Sequence, residues 1–337
     1  MLAQGLDVTA VAGLVSDATA APSMHNAQPW RFRYATGSGT FALFADPGRV
    51  MPYADPTTRG LHIGCGAALL NLRVAVAHAG RNPVTALLPD PAVPELLATV
   101  RTGAPPAASP AAPPSAAPGA MAVLYPAIRD RHTSRYPYTG QEIPQDVRAA
   151  LHNAAREEGA ELAFLREPHL QAVLDLTRDA KGYDLMDADK SAETERWTRD
   201  AHTEAPTDGV PDYAFGPRKA AGGAPTRDFA GRTAHPGRPL ADFEKHPRLA
   251  LLSTAADEPA DWLRAGQALE RVLLLATLHG LVASFATQAV ERPDLRWLLR
   301  DPLTGAGHAQ MVLRLGYGPR GPSSPRRPVQ EVLTIED

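Results

Sequence analysis

The chain has 337 residues, a net charge of −3 and 44% hydrophobic residues. That length suits two domains or one domain with a duplicated core, and that charge gives no reason to expect a nucleic-acid or membrane partner. The single cysteine, Cys65, excludes an internal disulfide and a cysteine-based zinc site, and no apolar run reaches the roughly 18 residues of a membrane span.

The N-terminal stretch carries Asp7 and Asp17 and no basic leader, so a helix of the mature fold (Leu6 to about Ala20) and a cytoplasmic setting are expected. A polar loop follows at 21–30. Two strands at 30–36 and 40–47 flank the turn Gly37-Ser38-Gly39, and an apolar helix from about Leu61 to Ala79 stops at Gly80. Residues 101–120 contain six Pro and eight Ala, which cannot pack a core and read as an exposed linker. It divides a first half (1–100) from a second (121–337).

In the second half, Pro144 introduces a helix at 144–158 that Gly159 closes, and a strand follows at 160–165. A long polar helix is expected over 168–203. Residues 205–245 are rich in Gly, Pro and single aromatics, and read either as a lid over a site or as a disordered insertion. A buried strand at 248–254, a helix at 261–279, a strand at 282–287 and a last strand at 309–317 complete the pattern. A basic tail at 325–328 follows.

Residues 66–80 and 266–280 repeat at an offset of 200, with glycine shared at both ends and Ala-Leu at 68–69 and 268–269. Each is an almost wholly apolar helix leading into a strand. One α+β unit used twice explains this; chance likeness of two core helices is the alternative.

The loop Ala21-Pro22-Ser23-Met24-His25-Asn26-Ala27-Gln28-Pro29-Trp30 crowds neutral donors and acceptors between a helix and a strand. Its prolines fix the backbone. That suits a flat heteroaromatic ligand with polar edges. The cations are 30 Arg and four Lys, so a bound phosphate would meet guanidinium forks. Gly64-Cys65-Gly66 lacks the rest of a dinucleotide fingerprint, the histidines show no metal-ligand spacing, and Ser253 has no nucleophile-elbow context.

The stretch Ala21 to Phe32 resembles the A-P-S-x-x-N-x-Q-P-W-x-F pattern of nitroreductase-like flavoproteins. Arg131-His132-Thr133-Ser134-Arg135 is similar to that family's phosphate segment, and Leu315-Gly316-Tyr317 with Arg326 and Arg327 to its C-terminal strand and basic pair. The loop occurs only in the first half and the phosphate segment only in the second, a layout similar to the fused, single-site Acg-type branch. The resemblance implies an α+β fold of two related halves, with an antiparallel-rich sheet flanked by helices. It also implies one FMN between the halves. Pro22, Ser23, His25, Asn26 and Gln28 would serve the ring and ribityl chain. Arg131, Thr133, Arg135, Arg326 and Arg327 would meet the phosphate. Thr287 and Gln288 would pass near the flavin's reactive edge.

Three functions follow. The first is an FMN-dependent oxidoreductase acting on a small planar substrate, with NAD(P)H as a transient donor and no catalytic side chain or metal required. The second is a protein that stores FMN under the 205–245 lid. The third is a structural relative without flavin. Because fused halves supply the interface that two subunits normally make, a monomer is expected, with a homodimer the alternative.

Overall fold

The computed structural model describes residues 6–103, 119–201, 205–230, 237–303, 305 and 307–337. Helix α1 (Val8–Ala18) starts where Asp7 accepts from the Ala10 N–H at 2.7 Å, and leads into the hairpin β1 (Trp30–Ala35) and β2 (Thr40–Ala45). Along β1 the side chains alternate: Trp30, Phe32 and Tyr34 are buried, whereas Arg31 and Arg33 are exposed. Helix α2 (Arg59–His78) and the hairpin β3 (Asn82–Leu87) and β4 (Leu96–Gly103) follow.

Next come α3 (Ala127–Asp130), α4 (Gln145–Glu157), β5 (Glu161–Phe164), α5 (His169–Met186) and α6 (Ala188–Arg196). Short strands β6 (Thr198–Arg199), β7 (Val210–Pro211), β8 (Arg218–Ala221) and β9 (Leu240–Asp242) precede the second core unit. That unit holds β10 (Leu249–Thr254), α7 (Pro259–Leu278), β11 (Val282–Phe285), α8 (Pro293–Arg296) and β12 (His308–Gly316). The chain ends with α9 (Val329–Val332) and β13 (Leu333–Glu336).

The architecture is α+β, with two antiparallel-rich sheets. One runs β13-β1-β2-β4-β3, with only the β1–β13 pair parallel; the other runs β11-β12-β10-β5 and is wholly antiparallel. Helices α2 and α7 lie against each other between them, in the cores that both sheets bury. A Cβ on Gly66 would sit 2.3 Å from the Leu263 carbonyl oxygen, and one on Gly266 would sit 2.1 Å from that of Ile63. The two glycines of the repeat are thus the point where the helix backbones touch. Helix α2 is long and apolar enough to cross a bilayer by composition alone, but it is the buried core helix here.

Four sequence expectations change. Residues 101–103 finish β4 and belong to no linker, because cross-strand pairing with β2 and β3 continues through them; 104–118 lie outside the described residues. The long polar helix breaks at Asp187, whose carboxylate caps α6 by accepting from the Lys190 N–H at 2.9 Å. The described part of 205–245 is not structureless, since it carries β7, β8 and β9. The strand at 308–316 is not the last, because β13 pairs with β1.

Candidate functional site

The loop after α1 is held in a conformation that L-residues rarely adopt. His25, Asn26 and Gln28 have φ of 47°, 55° and 53°, each costing on the order of 1–3 kcal/mol unless the surroundings impose it. The surroundings do. The Gln28 N–H donates to Ser23 Oγ at 2.9 Å, its side-chain amide donates to the Thr207 carbonyl at 2.9 Å, and its Oε1 accepts from the Arg327 N–H at 2.8 Å. Asn26 Nδ2 donates to Gly209 and Pro325 carbonyls at 2.9 and 3.0 Å, and Asn26 Oδ1 accepts from Arg326 at 3.0 Å. Residues 207–209 and the C-terminal tail therefore pin the loop from two sides.

That pinning turns His25 inward. Its ring is buried, neither ring nitrogen has a hydrogen-bond partner among the described residues, and it meets Phe229 edge-on with centroids 5.4 Å apart. Burial, with Arg227 adding like charge, lowers its pKa to about 3, so the ring is neutral at pH 7.

The arginine-rich segment lies along β11. The Ser134 N–H donates to the Ala283 carbonyl at 2.9 Å, and Gly321 passes so near that a Cβ there would sit 1.9 Å from the Thr133 oxygen. Arg131 and Arg326 converge on one acceptor, the Ala20 carbonyl at the end of α1, at 3.1 and 2.9 Å. Burial and the Arg131 charge lower the Arg326 pKa to about 9. One carboxylate offsets the pair: Glu270, fully buried, lies 3.4 Å from Arg131 Nε, and burial raises its pKa to about 6.

Arg135 sits elsewhere. It donates to the Ala214 carbonyl at 2.9 Å and stacks 5.0 Å from the Phe229 centroid. Among the described residues no carboxylate pairs with it, and burial with the nearby Arg227 lowers its pKa to about 10. The expected phosphate cluster is thus two groups: Arg131 with Arg326, and Arg135 apart.

These residues line one cavity of about 380 Å³ between the loop, the second core unit and the segment 210–240, in the size range of small-molecule sites. Pro22, Ser23, His25, Asn26, Arg131, Thr133, Arg135, Thr287 and Arg326 are on its wall. Gln28, Gln288 and Arg327 are not. Gln28 is spent bracing the loop, Arg327 lies 3.4 Å from both Asp46 and Glu331, and Gln288 is buried behind the wall.

Sequence reading missed Arg59, Arg227, Phe229, Glu291 and Arg314, all on the wall. Arg227 grips Glu291 in a two-pronged ion pair, and Thr287 Oγ1 donates to the same carboxylate at 2.8 Å. No motif marks these positions; they are brought together only by folding. Among the described residues, ten Lys or Arg line the cavity against two carboxylates, so this space is strongly cationic in a chain of net charge −3.

Comparison with known proteins gives the same direction. No family model matches the chain. A Mycobacterium tuberculosis protein named "Putative NAD(P)H nitroreductase acg" is 30% identical over 94% of this chain and 92% of its own length. A second protein of that organism, also named as an NAD(P)H nitroreductase, is 31% identical over 97% of this chain and 92% of its own. A crystal structure of a Bacteroides fragilis nitroreductase with bound FMN superposes with a TM-score of 0.36 and 16% identity, over 60% of this chain and 92% of that one, too distant to carry weight. The near-complete coverage by the two mycobacterial relatives decides the matter: the chain belongs to the Acg branch of the nitroreductase family.

Proposed function

We propose that the cavity holds FMN and that the protein is an FMN-dependent oxidoreductase of the nitroreductase type. In this reading NAD(P)H is a transient donor, a planar organic molecule is the acceptor, and the setting is cytoplasmic. One observation carries it: a neutral, unpartnered imidazole and two adjacent, under-neutralised guanidiniums face the same cavity. The donor set fits that cofactor. A phosphate monoester brings roughly −1.5 to −2 charges, and Arg131 and Arg326 with one opposing carboxylate leave positive charge for it. Thr133 adds a hydroxyl beside them.

Bound FMN supplies the hydride and electron chemistry. The chain's own residues hold, orient and shield. His25 and the Ser23 hydroxyl offer uncharged contacts to a ring edge, and Arg135 offers a cation that no internal carboxylate competes for. Phe229 covers His25, and the Arg227–Glu291 pair fixes the lid segment that carries it, which keeps water from the reacting face. Storage of FMN, the other expectation, finds no support in the names of the relatives.

The test is flavin absorbance in the purified protein, then FMN titration of the stripped chain. Arg135→Ala should weaken FMN by about 1.5–3 kcal/mol, on the order of ten- to a hundredfold. A chain that neither carries nor takes up FMN would defeat the reading. An unaltered affinity in Arg135→Ala would remove that residue from it.

A further inference from the structure

The cavity holds more positive charge than one flavin phosphate calls for. Arg227, Arg238 and Arg314 are each paired within the protein, to Glu291, Asp228 and Glu244. Arg131 and Arg326 form the phosphate pair proposed above. Of the five others among the described residues, Arg59 donates to the Gln310 and Val290 carbonyls and Arg135 is assigned to the flavin above, which leaves Lys181 in α5, and Arg218 and Lys219 on β8. Among the described residues, no carboxylate pairs with any of the three.

All three line the same cavity, Lys181 and Lys219 lie near enough for their charges to interact, and Arg218 neighbours Lys219 on β8. Lys219 Nζ donates to the Ala224 carbonyl at 2.7 Å, which holds its ammonium against the ribbon. Burial lowers its pKa, and the charge of Lys181 lowers it further; Glu244, which acts the other way, is committed to Arg314. The ribbon itself is tightly seated. A Cβ on Gly222 or Gly223 would come within 2.2 Å of the Phe243 or Lys245 carbonyl oxygen. Like charges on an ordered element repel one another unless a counter-charge arrives from outside, and a cavity rim of one sign concentrates ligands of the other.

We propose that Lys181, Arg218 and Lys219 form a docking site for an anionic group on the second ligand, the molecule that enters the cavity beside the flavin. The group is a phosphate or a carboxylate. It belongs either to a phosphorylated dinucleotide donor or to an acidic aromatic acceptor. An uncharged acceptor gains nothing from three ammonium and guanidinium groups, and a cationic one is repelled. The proposal deepens the flavin reading above, but the anion site is measurable without it.

The experiment is calorimetric titration of the purified full chain with adenosine 2′,5′-bisphosphate, with para-nitrobenzoate and with uncharged para-nitrobenzamide. Wild type is compared with Lys181→Ala/Arg218→Ala/Lys219→Ala, and with Lys219→Arg. All three positions are exposed, so the triple variant should fold. At least one anionic probe should bind wild type and weaken on the order of tenfold or more in the triple variant. Raised salt should weaken it too, Lys219→Arg should retain it, and the nitrobenzamide should not distinguish the proteins. Loss of the bisphosphate assigns the site to the donor, and loss of the nitrobenzoate assigns it to the acceptor. If neither anion binds wild type, or both bind the triple variant equally well, the proposal is overturned. Flavin absorbance of the same samples reports separately on the flavin reading.

Discussion

Glu270 illustrates how a single side chain sets the charge of the site. It is wholly buried beside Arg131, and burial raises its pKa from 4.5 to about 6. A carboxyl whose folded-state pKa is raised binds more protons folded than unfolded between those values, so stability falls as pH rises from about 4.5 to 6. The cost above that window is on the order of 2 kcal/mol. Glu270→Gln should lack this slope: its melting temperature should gain on wild type as pH rises through the window. Asp55, also raised by burial, keeps a slope of the same sign in both proteins. Parallel melting curves would show that Glu270 does not titrate there. At this scale only part of the site is legible from residue order. The cluster at 21–30 is legible as special, because so many polar types between two prolines have no core role. That Asn26 and Gln28 brace the loop while His25 faces the cavity is not legible, because their partners lie about 180 and 300 positions away.

Among the elements, the repeat at 66–80 and 266–280 has a physical cause. Helices α2 and α7 meet backbone to backbone at Gly66 and Gly266, where no side chain fits. Helix propensity alone favours Gly266→Ala by about 1 kcal/mol. The new Cβ would sit 2.1 Å from the Ile63 carbonyl and 2.8 Å from the Gly66 Cα, both backbone atoms of a core helix. Overpacking of that kind costs about 1–3 kcal/mol or more, so the variant should unfold at lower denaturant than wild type. Greater stability would mean the helices can separate without loss. Helices α1, α2, α4 and α7 and strands β1, β2, β5, β10, β11 and β12 were readable from period and glycine placement, whereas β4 was not. The break at Asp187 was not, because polar residues continue the helical composition through it. The strand β13 was not, because four residues, two half-buried and two exposed, form a strand only where β1 offers an edge.

Across the whole molecule, the two halves are unequal. Where a second polar loop would follow α4, Glu158 stands instead, gripped by Arg73 and Arg271 at 2.6 Å each, with Arg73 also on Gln267 at 2.6 Å. An internal carboxylate takes the arginines that face that position. One FMN per chain is therefore expected from protein and flavin concentrations measured on one sample, and two would contradict the closure by Glu158. Chain order alone determined most elements of the core, the polar loop, the glycine repeat and the single set of site motifs, because period, turn chemistry and spacing are local properties. Only the tertiary structure decided which cations are free and which are spent. Arg326 meets the end of α1 because the tail returns to it, Arg227 meets Glu291 because the segment that carries it packs against the second core unit, and Arg327 is lost to Asp46. Ion pairs form between residues that folding brings near, and no local pattern records that distance.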